Sequence, residues 1–514
     1  MFSKVKSCAV HGVDGRMIDV EADVNDGLPV FTMVGYLSSS VRESSERVRT
    51  ALKNSGFHLP PKRITINLSP ADMRKDGSGY DLAIATAVLL SLGVTAELPM
   101  EQTLVLGELS LDGSIKAIPG VLPMVICARE EGMTSCIVPK ENVQEAALVQ
   151  GISVIGVSSL KETMEYIQGI KEYENTNVEQ PAVDTSEYLY DIDFSDVVGQ
   201  ESIKRGMEIA AAGFHNVLLT GAAGAGKSML AKRLPKILPQ MSFEESLEVT
   251  KIYSVGGMLP PEGGLIHRRP FRAPHHTISE YALIGGGRVP TPGEVSFAHY
   301  GVLFLDELPE FSKPVLEVLR QPLEDRRIRI SRVQASYEFP ADFMFVAAMN
   351  PCPCGNYPDY RRCSCTEQQI RRYQSKVSGP LLDRIDIRME VKGVKQEVLF
   401  SKQKTESSKT IRARVEQARQ MQKERFAGTG LLFNSQLDGK NLEEYITLSE
   451  EGKRLVLQLF EEQELSVRGV HRVLKLARTI ADLAGSEEIE HAHLQEAAFY
   501  RNQDVFAKEV LHGN

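Results

Sequence analysis

Residues 215–230 read HNVLLTGAAGAGKSML, and the reading of this stretch decides the fold. A short apolar strand, Val217 to Leu219, runs into GAAGAGKS at 221–228, and a helix pattern follows. This is the G-x-x-x-x-G-K-[ST] pattern in the strand–loop–helix context it requires. Gly221, Ala222, Ala223, Gly224, Ala225 and Gly226 form a loop whose backbone N–H groups can fold around phosphate oxygens. Lys227 is expected to reach the β- and γ-phosphates of ATP, and the Ser228 hydroxyl to ligate Mg²⁺. Downstream, HYGVLFLDELPEF (299–311) sets Asp306 and Glu307 at the end of an apolar strand, where a doubly wound sheet presents its ligands. Asp306 is expected to hold Mg²⁺ through water, and Glu307 to act as general base on the attacking water. The bland alternative is a strand that ends in two solvated acids. With the phosphate loop upstream, the reading is an ATPase.

Around this core the chain of 514 residues is long enough for about three domains. Residues 1–168 read as one α/β unit, with RITINLSP and TLVLGELSLDG as strands and GYDLAIATAVLLSLG as a buried helix. Residues 169–190, polar and without apolar periodicity, read as a linker. Residues 191–392 alternate strands, helices and Gly/Pro-rich loops, as in a parallel α/β sheet. Residues 393–514 are helical, for example SSKTIRARVEQARQMQKERF and VRGVHRVLKLARTIADLAG, with charged outer faces. No apolar run is long enough for a membrane helix and the start MFSKVKSCAVHG has no signal-peptide core, so the expected compartment is the cytoplasm. A net charge of −9 does not advertise nucleic-acid binding, although a local basic surface suffices to bind phosphates.

The order GAAGAGKS, LFLDE, AAMNP and GPLLDRIDI resembles an AAA+ ATPase. RRPFRAPHHTIS, GEVSFAHYGVLFLDELPEF and ARTIADL resemble the magnesium-chelatase-like branch, and the whole arrangement is similar to the YifB/ComM family. The resemblance spans essentially the whole chain. It implies an AAA+ P-loop core with a parallel sheet and a helical lid, preceded by a Lon-protease-like (ribosomal S5-like) α/β domain. It implies for Asn350 a sensor role, orienting the lytic water. For Arg384, in LLDRIDI, it implies an arginine finger delivered to a neighbouring subunit. For Arg468, in SVRGVHR, it implies the second sensor, with Arg472 one helical turn away as the alternative.

MRKDGSGYDLAIATAVLL and GELSLDGSIKAIPGVLP resemble the active-site segments of Lon-type Ser–Lys peptidases. That family places its nucleophile two residues after a glycine; here that position is Gly79, and Ser78 stands one residue early. Leu122 occupies the place of the family's general-base Lys. The domain therefore reads as a peptidase fold without peptidase chemistry, the alternative being a residual activity of Ser78 and Lys75.

Two insertions remain. HRRPFRAPHH (267–276) carries three Arg and three His; His275 and His276 have no carboxylate or thiol at ligand spacing beside them. EDRRIRISRVQASYEF (324–339) alternates charged and apolar residues about a turn, suggesting a hairpin that bears Arg326, Arg327, Arg329 and Arg332. In the related AAA+ branch such hairpins face a central pore, and a ring of six would grip DNA, branched or single-stranded, by its phosphates. The alternative is that these arginines pair with nearby acids. NPCPCGNYPDYRRCSC (350–365) follows the apolar run FMFVAAM and holds Cys352, Cys354, Cys363 and Cys365. Four thiolates suit a structural Zn²⁺ site, though Cys-x-Cys is tighter than the usual spacing. Packing thiols and an iron–sulfur or redox centre are the alternatives. The functional expectation is a homohexameric DNA motor with helicase-like branch migration. Its rivals are a metal-chelatase ATPase subunit and a protein remodeller.

Overall fold

The computed structural model describes residues 1–172, 192–260, 264–332, 335–393, 405–462 and 466–501. Most of the expected linker, residues 173–190, lies outside them, as do 394–404 and 502–514 at the two ends of the C-terminal region. No described helix is long and apolar enough to cross a membrane.

The N-terminal region builds a seven-stranded mixed sheet from β1 (Phe2–His11), β2 (Asp14–Asn25), β3 (Val30–Val34), β4 (Arg63–Ser69), β5 (Thr103–Val105), β6 (Ser135–Pro139) and β7 (Ser153–Val157), in the order β3-β4-β2-β1-β5-β6-β7. In β2, buried Ile18, Val20, Ala22 and Val24 alternate with more exposed residues, the period-two pattern of a strand packed on one face. Helices α1 (Ser39–Asn54) and α2 (Asp81–Ser91) contribute to one core with Val5 and Ile18. Helix α3 (Val121–Glu130) contributes to a second with Cys8 and Leu104. The strand expected over 103–113 is cut short because Gly107 turns to φ +155, where a side chain would strike Ile115.

The second sheet is built from β8 (Val217–Thr220), β9 (Phe271–Arg272), β10 (Val302–Leu305), β13 (Met344–Met349) and β14 (Ile387–Glu390), in the order β9-β10-β13-β8-β14. The hairpin strands β11 (Arg327–Ser331) and β12 (Ser336–Pro340) stand apart and pair antiparallel. Every pairing in the five-stranded sheet is parallel. Its central strands are apolar on both faces, as crossover helices on each side demand. Val217, Leu219, Val346 and Ala348 face one core; Leu218, Phe345, Ala347 and Met349 face the other. This is the parallel α/β sheet of an AAA+ core.

Around it lie α4 (Glu201–Gly213), α5 (Lys227–Arg233), α6 (Phe243–Val255) and α7 (Arg320–Asp325), then the C-terminal helices α8 (Ser408–Arg425), α9 (Glu450–Glu462), α10 (Val467–Leu483) and α11 (His491–Arg501). Ser407 and Ser466 cap α8 and α10 with side-chain hydrogen bonds, which satisfy donors a helix start leaves open. Buried Asp386, just before β14, ties α10 to the sheet. It accepts from the Asn216 N–H at 3.1 Å, lies 3.4 Å from His215 Nδ1 and pairs with Arg472 of α10. Burial alone would raise its pKa, but Arg472 and His215 prevail and hold the carboxyl well below the usual carboxylate range.

Asp386→Asn is therefore expected to cost about 3–5 kcal/mol, the scale of stripping one partner from a buried ion pair, read as a lower urea midpoint. Because the folded carboxyl stays ionised where the unfolded one protonates, the native advantage is full above the ordinary carboxylate pKa. It shrinks as pH falls below about 4. An unchanged midpoint at pH 7 would contradict this account.

Candidate nucleotide site

The phosphate loop leaves β8 at Gly221, where a side chain would stand 2.2 Å from the Val391 carbonyl oxygen. Only glycine fits so close to the neighbouring backbone. Lys227, 8 % exposed, donates from Nζ to the Gly221 carbonyl at 2.7 Å, the Ala222 carbonyl at 2.9 Å and Asn350 Oδ1 at 2.9 Å. Burial pushes its pKa down, against the pull of Asp306 and Glu307. Ser228 Oγ donates to Asp306 Oδ2 at 2.5 Å. A hydroxyl and a carboxylate in contact are two hard oxygen ligands, the chemistry Mg²⁺ prefers. Glu307 is exposed, and its backbone sits in the left-handed region at φ 53°, ψ 48°. Such strain in a non-glycine residue persists where its surroundings impose it, commonly at working sites.

Strand order explains this convergence. β13 runs between β8 and β10, so Asn350 at its C-terminal end stands between the phosphate loop and Asp306. Parallel strands bring these three C-terminal ends, distant in sequence, to one edge.

Arg384 and Arg468 lie elsewhere. Arg384 is three residues before β14, at the opposite, N-terminal edge, and a four-residue strand spans about 13 Å. The residue is 9 % exposed; its guanidinium donates to the Pro380 carbonyl at 2.7 Å and pairs with Glu324 of α7, and among the described residues its buried Nε has no partner. Arg468, at the start of α10, is exposed and makes no hydrogen bond or ion pair among the described residues. With Arg326, Arg472 and Lys475 it lines a cleft of about 280 Å³. Asn216, Phe343 and Asp386, each immediately before a sheet strand, line the same cleft, which fixes it at the N-terminal edge. Arg472 is held by Asp386, so of the two candidates only Arg468 has an open guanidinium. Glu324 and Asp386 were not singled out in the sequence; Asp386 stands in the quoted GPLLDRIDI, but nothing local marks it as buried.

The four cysteines after Asn350 converge. Cys352 Sγ is 3.4 Å from Cys354 Sγ and 3.8 Å from Cys363 Sγ, and all four sulfurs lie within 4.8 Å of one another. Ligands at about 2.3 Å around a tetrahedral Zn²⁺ are about 3.8 Å apart, so the thiols fit such an ion. No other such group of three or more His, Cys, Asp and Glu occurs among the described residues; the His275 and His276 rings lie 4.0 Å apart, with His275 also bonded to Thr277 and His276 edge-on to Phe311. The cysteine loop also touches the phosphate loop: a side chain at Gly355 would stand 3.2 Å from the Ala223 nitrogen.

On the arginine hairpin, Arg327 and Arg329 are exposed and both engage Glu338, at 2.8 and 2.9 Å. Arg332 donates to the Gly287 carbonyl, and Arg326 lies before β11, 3.6 Å from Asp342. The pairing with acids weighed as the alternative is thus present at three of the four, while two guanidiniums on one carboxylate leave a net positive charge. In the loop between β4 and α2, Ser78 Oγ donates to Glu108 and Lys75 Nζ to the Met73 and Pro70 carbonyls. Gly79 packs on Ile118, and Leu122 is wholly buried.

Three family models match the chain. The one described as magnesium chelatase, subunit ChlI, covers residues 193–399. Subunit ChlI of Mg-chelatase covers 20–142, and the subunit ChlI C-terminal model covers 405–501. The chain is 41 % identical over 506 residues to the protein named YifB of Escherichia coli, across 98 % of this chain and 97 % of that one. It is 40 % identical over 503 residues to competence protein ComM of Haemophilus influenzae, across 97 % of each. A stretch amounting to 32 % of each chain is 30 % identical over 183 residues to Lon protease 2 of Bacillus subtilis.

Lys227→Ala is expected to weaken ATP binding, because it removes the buried cation. Glu307→Gln is expected to bind ATP but turn over at least about 10²-fold slower, the scale of a lost general base. Native turnover in Glu307→Gln would exclude it as the base.

Elemental analysis is expected to find about one zinc per chain. Cys352→Ser is expected to remove it and, through Gly355 and Ala223, to weaken binding of a fluorescent ATP analogue several-fold. A metal-free native preparation with full nucleotide affinity would overturn the zinc assignment.

Proposed function

Because this chain belongs to the YifB/ComM family of magnesium-chelatase-like AAA+ ATPases, we propose that it works as a ring-forming motor, a homohexamer, driving branch migration of DNA. The observation that carries this reading is the division of the site between opposite edges of one sheet. The phosphate loop, Asp306, Glu307 and Asn350 occupy one edge; the cations Arg384 and Arg468 occupy the other. Arg384, fixed beside the start of β14, cannot reach its own chain's phosphate loop without unfolding the sheet between them. Head-to-tail packing joins one chain's cationic edge to the next chain's phosphate loop, and that contact closes as a ring.

In the joined site, Lys227 and the loop N–H groups hold the β- and γ-phosphates. Ser228 and Asp306 are the residues that would hold Mg²⁺, which would supply positive charge to neutralise the phosphates. Glu307 takes a proton from the attacking water, and Asn350 orients that water through its amide. Arg384 and Arg468 of the neighbouring chain stabilise charge that develops on the transferred phosphoryl. Arg384 must first exchange Glu324 for phosphate, which the more highly charged partner favours.

DNA as the substrate is supported by the exposed cations Arg327 and Arg329 and by the name of the relative ComM, a competence protein. Contacts of this kind reach phosphates and are indifferent to sequence. The N-terminal sheet carries no peptidase chemistry on this reading, since Ser78 and Lys75 each have other partners. The chelatase family models favour one alternative, an ATPase subunit that drives metal insertion into a tetrapyrrole.

One mixing experiment tests ring and substrate together. Arg384→Ala and Lys227→Ala proteins, each inactive alone, are expected to regain ATP hydrolysis when mixed, through hybrid interfaces. Native protein is expected to be stimulated by a four-way DNA junction and to migrate it. No recovery in mixed rings shown to form would mean that Arg384 acts within its own chain. Stimulation by porphyrin and not by the junction would decide for the chelatase reading.

A further inference from the structure

The N-terminal sheet reaches the arginine hairpin through one turn. β1 and β2 meet at His11 to Asp14, and that turn lies along β12. The His11 ring stacks on Tyr337 with centroids 4.5 Å apart and planes at 28°, and its Nε2 is 3.3 Å from the Ser336 carbonyl oxygen. Gly12, at φ +68, approaches β12 so closely that a side chain there would stand 2.9 Å from the Glu338 carbonyl oxygen. Val13, 7 % exposed, joins the apolar cluster that holds Ile328, Ile330 and Phe339 of the hairpin. Asp14 pairs with Lys251 of α6 at 3.5 Å and so ties the turn to the ATPase core.

A two-stranded hairpin is marginal by itself, so its alignment follows what it packs against. Here one side of β12 pairs with β11, and the turn covers Ser336, Tyr337 and Glu338. Glu338 is also the carboxylate that holds Arg327 and Arg329. Whatever sets the Glu338 backbone therefore sets how the two guanidiniums are displayed.

We propose that the β1–β2 turn, His11 to Asp14, is a positioning element that seats the arginine hairpin so that Arg327 and Arg329 face outward together toward a polyanion. The seat stands on contacts alone; its use for DNA rests on the motor reading above. It gives the peptidase-like sheet a task that needs no nucleophile. Gly12 is required because it combines a left-handed backbone with the closest approach to β12, and the His11 ring is required as a flat stacking surface.

The test uses the full-length protein and the variants Gly12→Val, His11→Ala and His11→Phe. Hydrogen exchange of peptides covering β11 and β12 is the direct readout, beside junction binding across a salt series and basal ATP hydrolysis. Gly12→Val and His11→Ala are expected to speed exchange in the hairpin about tenfold, a local loosening. His11→Phe, which keeps a stacking ring, is expected to restore native protection. Junction affinity should fall several-fold with a shallower salt slope in the first two variants, because fewer phosphates are neutralised; basal hydrolysis should stay native. Native hairpin exchange in both Gly12→Val and His11→Ala overturns the proposal. If Gly12→Val also speeds exchange throughout β1 and β2, the His11→Ala and His11→Phe pair decides alone. A loosened hairpin with native junction binding keeps the seat and overturns the DNA role of the hairpin.

Discussion

Strand β13 hydrogen-bonds to β8 on one side and β10 on the other, and this interposition sets the geometry of the nucleotide half-site. If β8 and β10 were neighbours, the C-terminal ends of these two strands would stand one spacing apart, about 4.8 Å. With β13 between them a second spacing opens, and Asn350 fills it from above the inserted strand. Lys227 spans the gap by donating to Asn350, while Ser228, one residue on, meets Asp306 from the far side. The apolar FMFVAAM run buries β13 on both faces and stops at Asn350, so a slip of the strand would draw that amide into the sheet unpaired.

The same sheet separates charge. At its C-terminal edge a nearly buried ammonium rests on two carbonyls and an amide, with its pKa lowered by burial. Among the described residues that cation has no salt-bridge partner, which favours a phosphate arriving there. At the N-terminal edge the guanidiniums are managed differently. Arg472 is locked to Asp386, Arg384 is held by Glu324, and Arg468 is left open. On the proposed reading, one edge receives an anion and the other presents cations. A single chain holds these edges apart with the stiffness of a hydrogen-bonded sheet.

The N-terminal sheet packs its Lon-like segments into its own core. Gly79 lies against Ile118, and Leu122 is buried within the α3 core. The sheet keeps contact with the ATPase core through buried hydrogen bonds. Ser254 of α6 donates to Glu145, and its carbonyl accepts from the Gly120 N–H. Burial raises the Glu145 pKa, and its bonds to Ser254, the Leu122 N–H and Asn142 oppose that shift. A carboxyl satisfied so fully by groups from both sides marks a fitted interface and not a chance contact.

Much of this was legible in the residues. The phosphate loop, the acidic strand end, the alternating arginine hairpin and the clustered thiols are local patterns, each written within a short window and enforced by backbone geometry, strand periodicity or ligand count. The likeness to AAA+ proteins extended that reading to Asn350 and the arginines. Several features were out of reach. No window of sequence shows that Arg384 and Arg468 end on the edge opposite Lys227, since that follows from strand order. Nor does one show that Glu324 occupies Arg384, that Asp386 holds Arg472 while Arg468 stays open, or that His11 and Gly12 meet a strand more than 300 residues away. These are contacts between residues distant in the chain. They exist because parallel strands collect remote segments at a shared edge and because buried charges and marginal hairpins must find partners in three dimensions. Local chemistry is carried by short stretches of chain; which groups are free to act is decided only by what packs against them.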